Sequence, residues 1–280
     1  MLAWVFVVEL LVAAAVPFDA VRESRIRPAQ LVMPARSQSG ASAKSIAIGD
    51  RTVRLRALGG PAGDRLLTRV ASNMAAAITA VEAFWGVDWT RDISVVVAGT
   101  DEEFRAAAGG GPAEQWADIA AVTVADRVDP VRRVAVGQRI VFAPGAAGMS
   151  TASLRIVLTH ELFHYAARAD TVADAPRWLT EGVADFVGRP PAPVPADTLL
   201  PMTLPVDSDL DVPGTQRSLA YDRAWWFARF VADAYGPPKL RELYLATCGI
   251  RHADMAAASQ DVLATSPAGL LTRWQQWLTH

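Results

Sequence analysis

Lysine is nearly missing from this chain: it stands only at Lys44 and Lys239, so arginine supplies almost all of the positive charge. There is no block of like charges and the formal net charge is -2, which gives no reason to expect nucleic acid as a partner. Cysteine occurs once. Cys248 alone cannot build a disulfide framework within the chain, and its Leu-Ala-Thr-Cys setting reads as an inert buried thiol. No internal repeat is present. Histidine is scarce at four residues, and two of the four fall in one pentapeptide. What is plentiful is apolar character, 51% over 280 residues, enough for the packed core of one large domain or two small ones.

The pentapeptide is His160-Glu161-Leu162-Phe163-His164. On a helix, positions four apart differ by about 40° around the axis and about 6 Å along it, so both imidazoles can reach one ion. Glu161 projects beside that face, where a carboxylate can contact a metal-activated water without being a ligand. A catalytic metal takes a third protein ligand and keeps a fourth position open. The carboxylates within reach in sequence are Asp170, Asp174, Glu181 and Asp185. Glu181 is the choice, because it lies in an apolar helical frame of Trp178, Leu179, Val183 and Phe186, where an unpaired carboxylate is costly to bury and a cation offsets that cost. Asp185, one turn on, can accept a hydrogen bond from the outward nitrogen of a ligand histidine; a solvated helix carboxylate is the alternative. Asp174 and Arg177 read as capping and helix-surface charges, and His252 and His280, without partners at ligand spacing, as surface residues.

Met1 to Phe18 is apolar apart from Glu9, the length of a signal-peptide core or a short membrane span. Ala13-Ala14-Ala15 offers an A-x-A cleavage pattern, but basic residues follow the run (Arg22, Arg25, Arg27) and none precedes it, an asymmetry that favours a cytoplasmic remainder. A basic segment upstream would remove the conflict. Residues 1–26 are therefore expected to be a signal peptide or membrane anchor, 27–44 a linker and 45–280 the folded domain, secreted or held at the cell envelope through its N-terminus.

Within the domain, Ser45 to Leu58 reads as a hairpin turning at Gly49-Asp50, and Leu67, Val70, Met74, Ile78, Val81 and Trp85 mark a core helix that Gly86 ends. Ile93 to Val97, Ile119 to Val124 and Arg139 to Pro144 read as strands, and Thr100-Asp101-Glu102-Glu103 as a capping box. Gly109-Gly110-Gly111 precedes no Lys-Ser or Lys-Thr, so it is a loop rather than a phosphate cradle. Ser150 or Thr151 caps the motif helix. A second helix begins at Asp174-Ala175-Pro176 and stops at Gly188, before a proline-rich loop running to about Pro213. Helices fill the rest: Ser218 to Tyr235, Pro238 to about Cys248, a segment near Ala253 to Leu263, and one opening at Ser266-Pro267, with Trp225, Trp226, Trp274 and Trp277 assigned to core. Strands first and helices afterwards give an α+β class: a small mixed β-sheet with the motif helix, followed by a mainly helical C-terminal subdomain.

On these residues the sequence resembles the gluzincin zinc metallopeptidases, the thermolysin and aminopeptidase-N-like group, in which H-E-x-x-H is followed on the next helix by a glutamate ligand, often within W-L-x-E-G-x-A. Here sixteen residues, 165 to 180, separate the pentapeptide from Glu181 in Trp178-Leu179-Thr180-Glu181-Gly182-Val183-Ala184. Ala220-Tyr221-Asp222-Arg223-Ala224 and the stretch Phe230 to Gly236 are similar to small bacterial peptidase-MA-like proteins. The resemblance implies a zincin-like fold, Zn2+ held by His160, His164 and Glu181, and peptide-bond hydrolysis by a metal-activated water with Glu161 as general base. It also implies an oxyanion donor from the C-terminal helices. Tyr221 is the candidate and Tyr165 the fallback, the alternative for Tyr221 being a packed ring with its hydroxyl in solvent. The group's aminopeptidases use a glutamate in a G-x-M-E-N strand to capture the substrate amine. No glutamate stands between Glu114 and Glu161, so endopeptidase action on a peptide or protein is expected, with the strand Gln138 to Pro144 pairing with extended substrate. The alternative is a non-catalytic envelope protein that keeps the fold to bind a partner. Intact Glu161 speaks against it, because a closed structural zinc site has no use for a general base.

Overall fold

The computed structural model describes residues 42–116, 119–195 and 198–279, so the expected signal peptide or anchor at 1–26 lies outside the described residues. The alternation in Thr52-Val53-Arg54-Leu55 becomes a strand with one dry face. β1 (Ser42–Ile48) and β2 (Arg51–Ala57) form an antiparallel hairpin about Gly49 at φ +59°, with Val53, Leu55 and Ala57 buried and Arg54 and Arg56 exposed. β1 starts earlier than the hairpin reading: Ser42, Ala43 and Lys44 pair with Ala57, Arg56 and Leu55. α1 (Gly60–Trp85) turns the stripe from Leu67 to Trp85 into the core, and Gly86 at φ +91° ends it.

The remaining strands are β3 (Asp92–Val97), β4 (Ala121–Val124), the ribbon of β5 (Arg127–Asp129) and β6 (Val134–Val136), and β7 (Arg139–Phe142), with α2 (Asp101–Ala107) after β3. The main sheet runs β1-β2-β3-β7-β4, parallel at β2–β3 and β3–β7 and antiparallel at its two ends. Alternation divides its apolar residues between two layers. Val95, Val97, Ala121, Ile140 and Phe142 join the larger core with α1 and the motif helix, while Val96, Val122, Val124 and Val141 join a smaller one with Phe104 and Trp116. This order corrects one expectation. β7, expected to pair with substrate, has β3 on one edge and β4 on the other, and the sheet ends at β4 instead.

α3 (Thr151–Ala167) carries the pentapeptide and opens at Ser150, whose Oγ accepts from the Ser153 amide at 3.0 Å. α4 (Arg177–Gly188) follows, then a loop that docks through the short α5 (Asp207–Leu210), then α6 (Thr215–Tyr235), α7 (Pro237–Cys248), α8 (Met255–Leu263) and α9 (Pro267–Leu278). Phe227 of α6 packs edge-on against Trp178 of α4 and Trp274 of α9, with ring centroids 5.2 and 5.5 Å apart, and so ties the helical part to α4. The molecule is thus α+β, a small mixed sheet followed by a helical C-terminal part. No described helix is long and apolar enough to cross a membrane.

Candidate metal centre

α3 presents His160 and His164 on one side, and α4 crosses it so that Glu181 faces both. The two Nε2 atoms are 3.1 Å apart; Glu181 Oε2 lies 3.3 Å from His160 Nε2, and Oε1 lies 3.6 Å from His164 Nε2. Ligand atoms about 2.1 Å from a tetrahedral ion stand about 3.4 Å from one another, so these separations fit a four-coordinate cation. Other observations agree. Glu181 Oε2 is buried with no hydrogen-bond partner, and imidazole nitrogens this close oppose lone pairs unless a proton or cation lies between them. The three residues form a group that can hold a metal ion, and two imidazoles with one carboxylate suit zinc. Of the other carboxylates considered, Asp170 pairs with Arg133 at 2.6 Å, and Asp174 lies 3.5 Å from His252, which is exposed as expected.

Two glycines let α4 come close enough. A Cβ on Gly182 would stand 2.4 Å from the Ala224 carbonyl oxygen of α6, and one on Gly188 would stand 3.0 Å from Ile156 O and 3.1 Å from His160 N of α3. α4 therefore meets both neighbours through bare backbone, which is the physical reason a glycine follows Glu181. The N-terminus of α4 is held from a distance, the Trp178 amide donating to Asp207 Oδ1 at 2.9 Å.

The supporting contacts run outward from the ligands. Asp185 is fully buried, its Oδ1 2.9 Å from His160 Nδ1, which fixes the tautomer and leaves Nε2 for the ion. A solvated role for Asp185 is thereby removed. Arg189 pairs with Asp185 Oδ2 at 2.7 Å and with Asp222 Oδ1 of α6 at 2.8 Å. On the other side, Thr123 Oγ1 lies 2.8 Å from both Glu161 Oε2 and the Glu161 carbonyl oxygen, its one proton shared between them, and Glu161 Oε1 is buried without a partner. Neither Thr123 nor Arg189 carried a motif that spacing could reveal.

Charge follows from this enclosure. Burial raises the Glu161 carboxyl, against the opposing charges of His160 and His164 and the Thr123 bond. Burial works against the charge of Glu181 too, but His164 and His160 prevail and hold it down to about 2. Burial likewise opposes charge on His160, yet Asp185 and Glu181 raise it to about 10. Without an ion, a proton on His160 thus serves as the cation of the cluster.

A cavity opens beside the cluster, with Thr123, His164, Arg168, Arg177, Glu181 and Tyr244 in its wall. His160 and Glu161 lie fully buried beneath it. Tyr221 is buried in α6 rather than solvent-facing, and is not part of this wall. The Tyr165 hydroxyl accepts from the Ser94 amide at 3.2 Å and donates to Asp92 O at 3.0 Å, so this side chain is a strut between α3 and β3. The tyrosine at the cavity is Tyr244 of α7, its hydroxyl 2.9 Å from Thr171 Oγ1.

No protein-family model matches the chain, and no curated protein matches it. Among solved structures, a variant of a two-domain M1 zinc metallopeptidase bound to L-arginine is similar over 86% of this chain and 52% of that one, at 14% identity and a TM-score of 0.48. The chain thus spans about half the length of that protein.

Proposed function

We propose that this chain is a gluzincin-type metallopeptidase that holds Zn2+ through His160, His164 and Glu181 and cuts internal bonds of a peptide or protein. One observation carries the reading: three donor atoms 3.1, 3.3 and 3.6 Å apart beside a buried carboxylate that has one oxygen without a partner. A divalent cation bound there would supply a Lewis acid and an activated water. The proton work falls to Glu161. Thr123 engages Oε2, so Oε1 is the atom left to accept a proton and return it to the leaving nitrogen, and burial strengthens its hold on that proton. Asp185 keeps His160 in the tautomer the site needs. β4 ends the sheet next to Glu161, and its outer edge can take an extended peptide by main-chain pairing. Its residues, Ala121 to Val124, include no glutamate to capture a substrate amine, which supports internal cleavage over N-terminal trimming. Tyr221, buried in α6 and interacting with Arg177 of the cavity wall, is kept as the proposed oxyanion donor. The apolar run from Met1 to Phe18 supports export or attachment to the cell envelope as the setting.

Zinc-loaded protein is expected to cut unfolded casein or quenched-fluorescence peptides at internal bonds. Glu161→Gln should keep about one zinc per chain and lose about 10²- to 10⁴-fold in turnover. Turnover that survives Glu161→Gln sinks the mechanism, and products that are only N-terminally trimmed sink the endopeptidase assignment.

A further inference from the structure

The triple glycine cradles no phosphate, but it shapes a cavity. Gly109, Gly110 and Gly111 take φ of +104°, +90° and +106°, a run that glycine alone holds without strain. The loop closes α2, the Gly110 amide donating to Arg105 O at 2.7 Å, and brings the short turn Ala113–Trp116 back onto the same helix, with Trp116 Nε1 donating to Gly110 O at 3.0 Å. A Cβ on Gly111 would stand 2.7 Å from Gln115 Oε1 and 3.2 Å from Trp116 Nε1, so the turn comes this close only over bare backbone. Trp116 then meets Phe104 edge-on, with ring centroids 5.6 Å apart.

Between α2, this turn, the approach to β4 and the end of β7 lies a cavity of about 370 Å³, in the size range of small-molecule sites. Phe104, Trp116, Ile119 and Ala143 give it an apolar wall, and all four belong to the smaller core, on the face of the sheet away from α3 and the candidate metal centre. Among the described residues of the wall there is one cation. Arg105 is half-buried, pairs with no carboxylate of the described residues, and keeps its Nε buried with no hydrogen-bond partner. A guanidinium stays charged in protein, and Nε with the adjacent Nη makes a fork of two parallel donors that fits a carboxylate. Beside an apolar wall that contact is screened less than in bulk water. Asp101, exposed and one helical turn before Arg105, stands in the same wall, so a single negative charge is drawn to Arg105 while a second would meet a carboxylate.

We propose that this cavity binds a small apolar monocarboxylate, its acid group forked on Arg105 and its body against Phe104, Trp116 and Ile119. The site is separate from the candidate metal centre and does not depend on the peptidase reading. Its test titrates the full-length protein with phenylpropionate, the amide of that acid, acetate and inorganic phosphate, by isothermal calorimetry. The acid should bind about tenfold tighter than its amide, in line with one charge-assisted forked contact, and about tenfold tighter than acetate or phosphate, which lack the apolar body. Arg105→Gln should bring acid and amide to within about twofold while the thermal midpoint stays in place, because the guanidinium holds no other group, and Arg105→Lys should restore part of the difference. A bound cation also attracts carboxylates, so the acid preference should persist in His164→Ala; a preference lost there places the acid at the metal centre and overturns the proposal. Equal binding of acid and amide to the unaltered protein overturns it irrespective of how the variants fold, and so does phosphate that binds as tightly as the acid. A preference that survives Arg105→Gln in folded protein overturns it as well.

Discussion

Among the described residues charge is buried in two places, and they are built in opposite ways. The Arg51 side chain is fully enclosed, yet four hydrogen bonds meet it: Glu82 Oε1 at 2.8 Å, and the carbonyls of Val87, Trp89 and Thr90 at 3.0, 3.3 and 2.8 Å. The guanidinium carbon also stacks 3.4 Å from the Trp89 ring centre. This knot fastens the turn after α1 to the start of β2. At the cluster of His160, Glu161 and Glu181 the enclosure is as complete, but Glu161 Oε1 and Glu181 Oε2 are left without hydrogen-bond partners. A buried polar atom in that condition costs about 1–3 kcal/mol. The satisfied charge is a fastening, and the unsatisfied ones mark a place that a ligand completes.

The contrast can be broken from either side. Arg51→Met should lower unfolding free energy by about 3 kcal/mol in denaturant titrations, because the carbonyls and Glu82 lose their shared donor. Zinc content per folded chain should stay the same; a parallel loss of zinc would show that the two sites are not independent. Filling the open site acts in the other direction. Zinc at a hundredfold over its dissociation constant should raise stability by about 2.7 kcal/mol, a chelator should reverse the gain, and His164→Ala should show almost none of it in thermal melts.

Asp185→Asn should sharpen the comparison by weakening zinc about 10- to 100-fold in competition with a chromophoric chelator while leaving the Arg51 knot untouched. The same comparison can be read through pH. His160 is raised from 6.5 to about 10 in the folded, metal-free protein. Its proton therefore stabilises the fold fully below about pH 6.5, and that contribution is lost as pH climbs through about 10. Zinc must displace the same proton, so its affinity should rise about tenfold per pH unit between about 7 and 9, with about one proton released per ion. Calorimetry in buffers of different ionisation enthalpy reads that proton directly, and an affinity flat across this range would mean that His160 is already neutral.

What the residues announced in advance was local. His160 and His164 share a face because they are four apart, and Asp185 follows Glu181 by the same step, so these relations hold in any fold that keeps the helices. The α+β class was legible too, since alternation and helical stripes are properties of short windows. Relations that cross the strand order were not legible. Thr123 reaches Glu161 over 38 positions and Arg189 reaches Asp222 over 33, and neither spacing means anything until the elements are placed. β7 directly precedes the motif helix, which made it look like the strand at the site, but its apolar Ile-Val-Phe run belongs to a strand enclosed on both edges. One clue was present. In Ala121-Val122-Thr123-Val124 the hydroxyl falls on the same face as Ala121, which joins the core that includes α3. Tyr244 gave no comparable hint, being an ordinary aromatic in a helix remote in sequence from the motif.

The glycines of α4 determine how finely the centre is set. With a bare backbone wedged between α3 and α6, Glu181 inherits its position from hard contact between main chains, which offers no side-chain rotamers along which to relax. A single methyl at Gly182 would stand 2.4 Å from the Ala224 carbonyl oxygen and would have to push that contact apart by about half an ångström or more, beyond the tolerance of about 0.2 Å within which ligand distances are held. The thickness of a glycine is the gauge to which this candidate metal centre is cut.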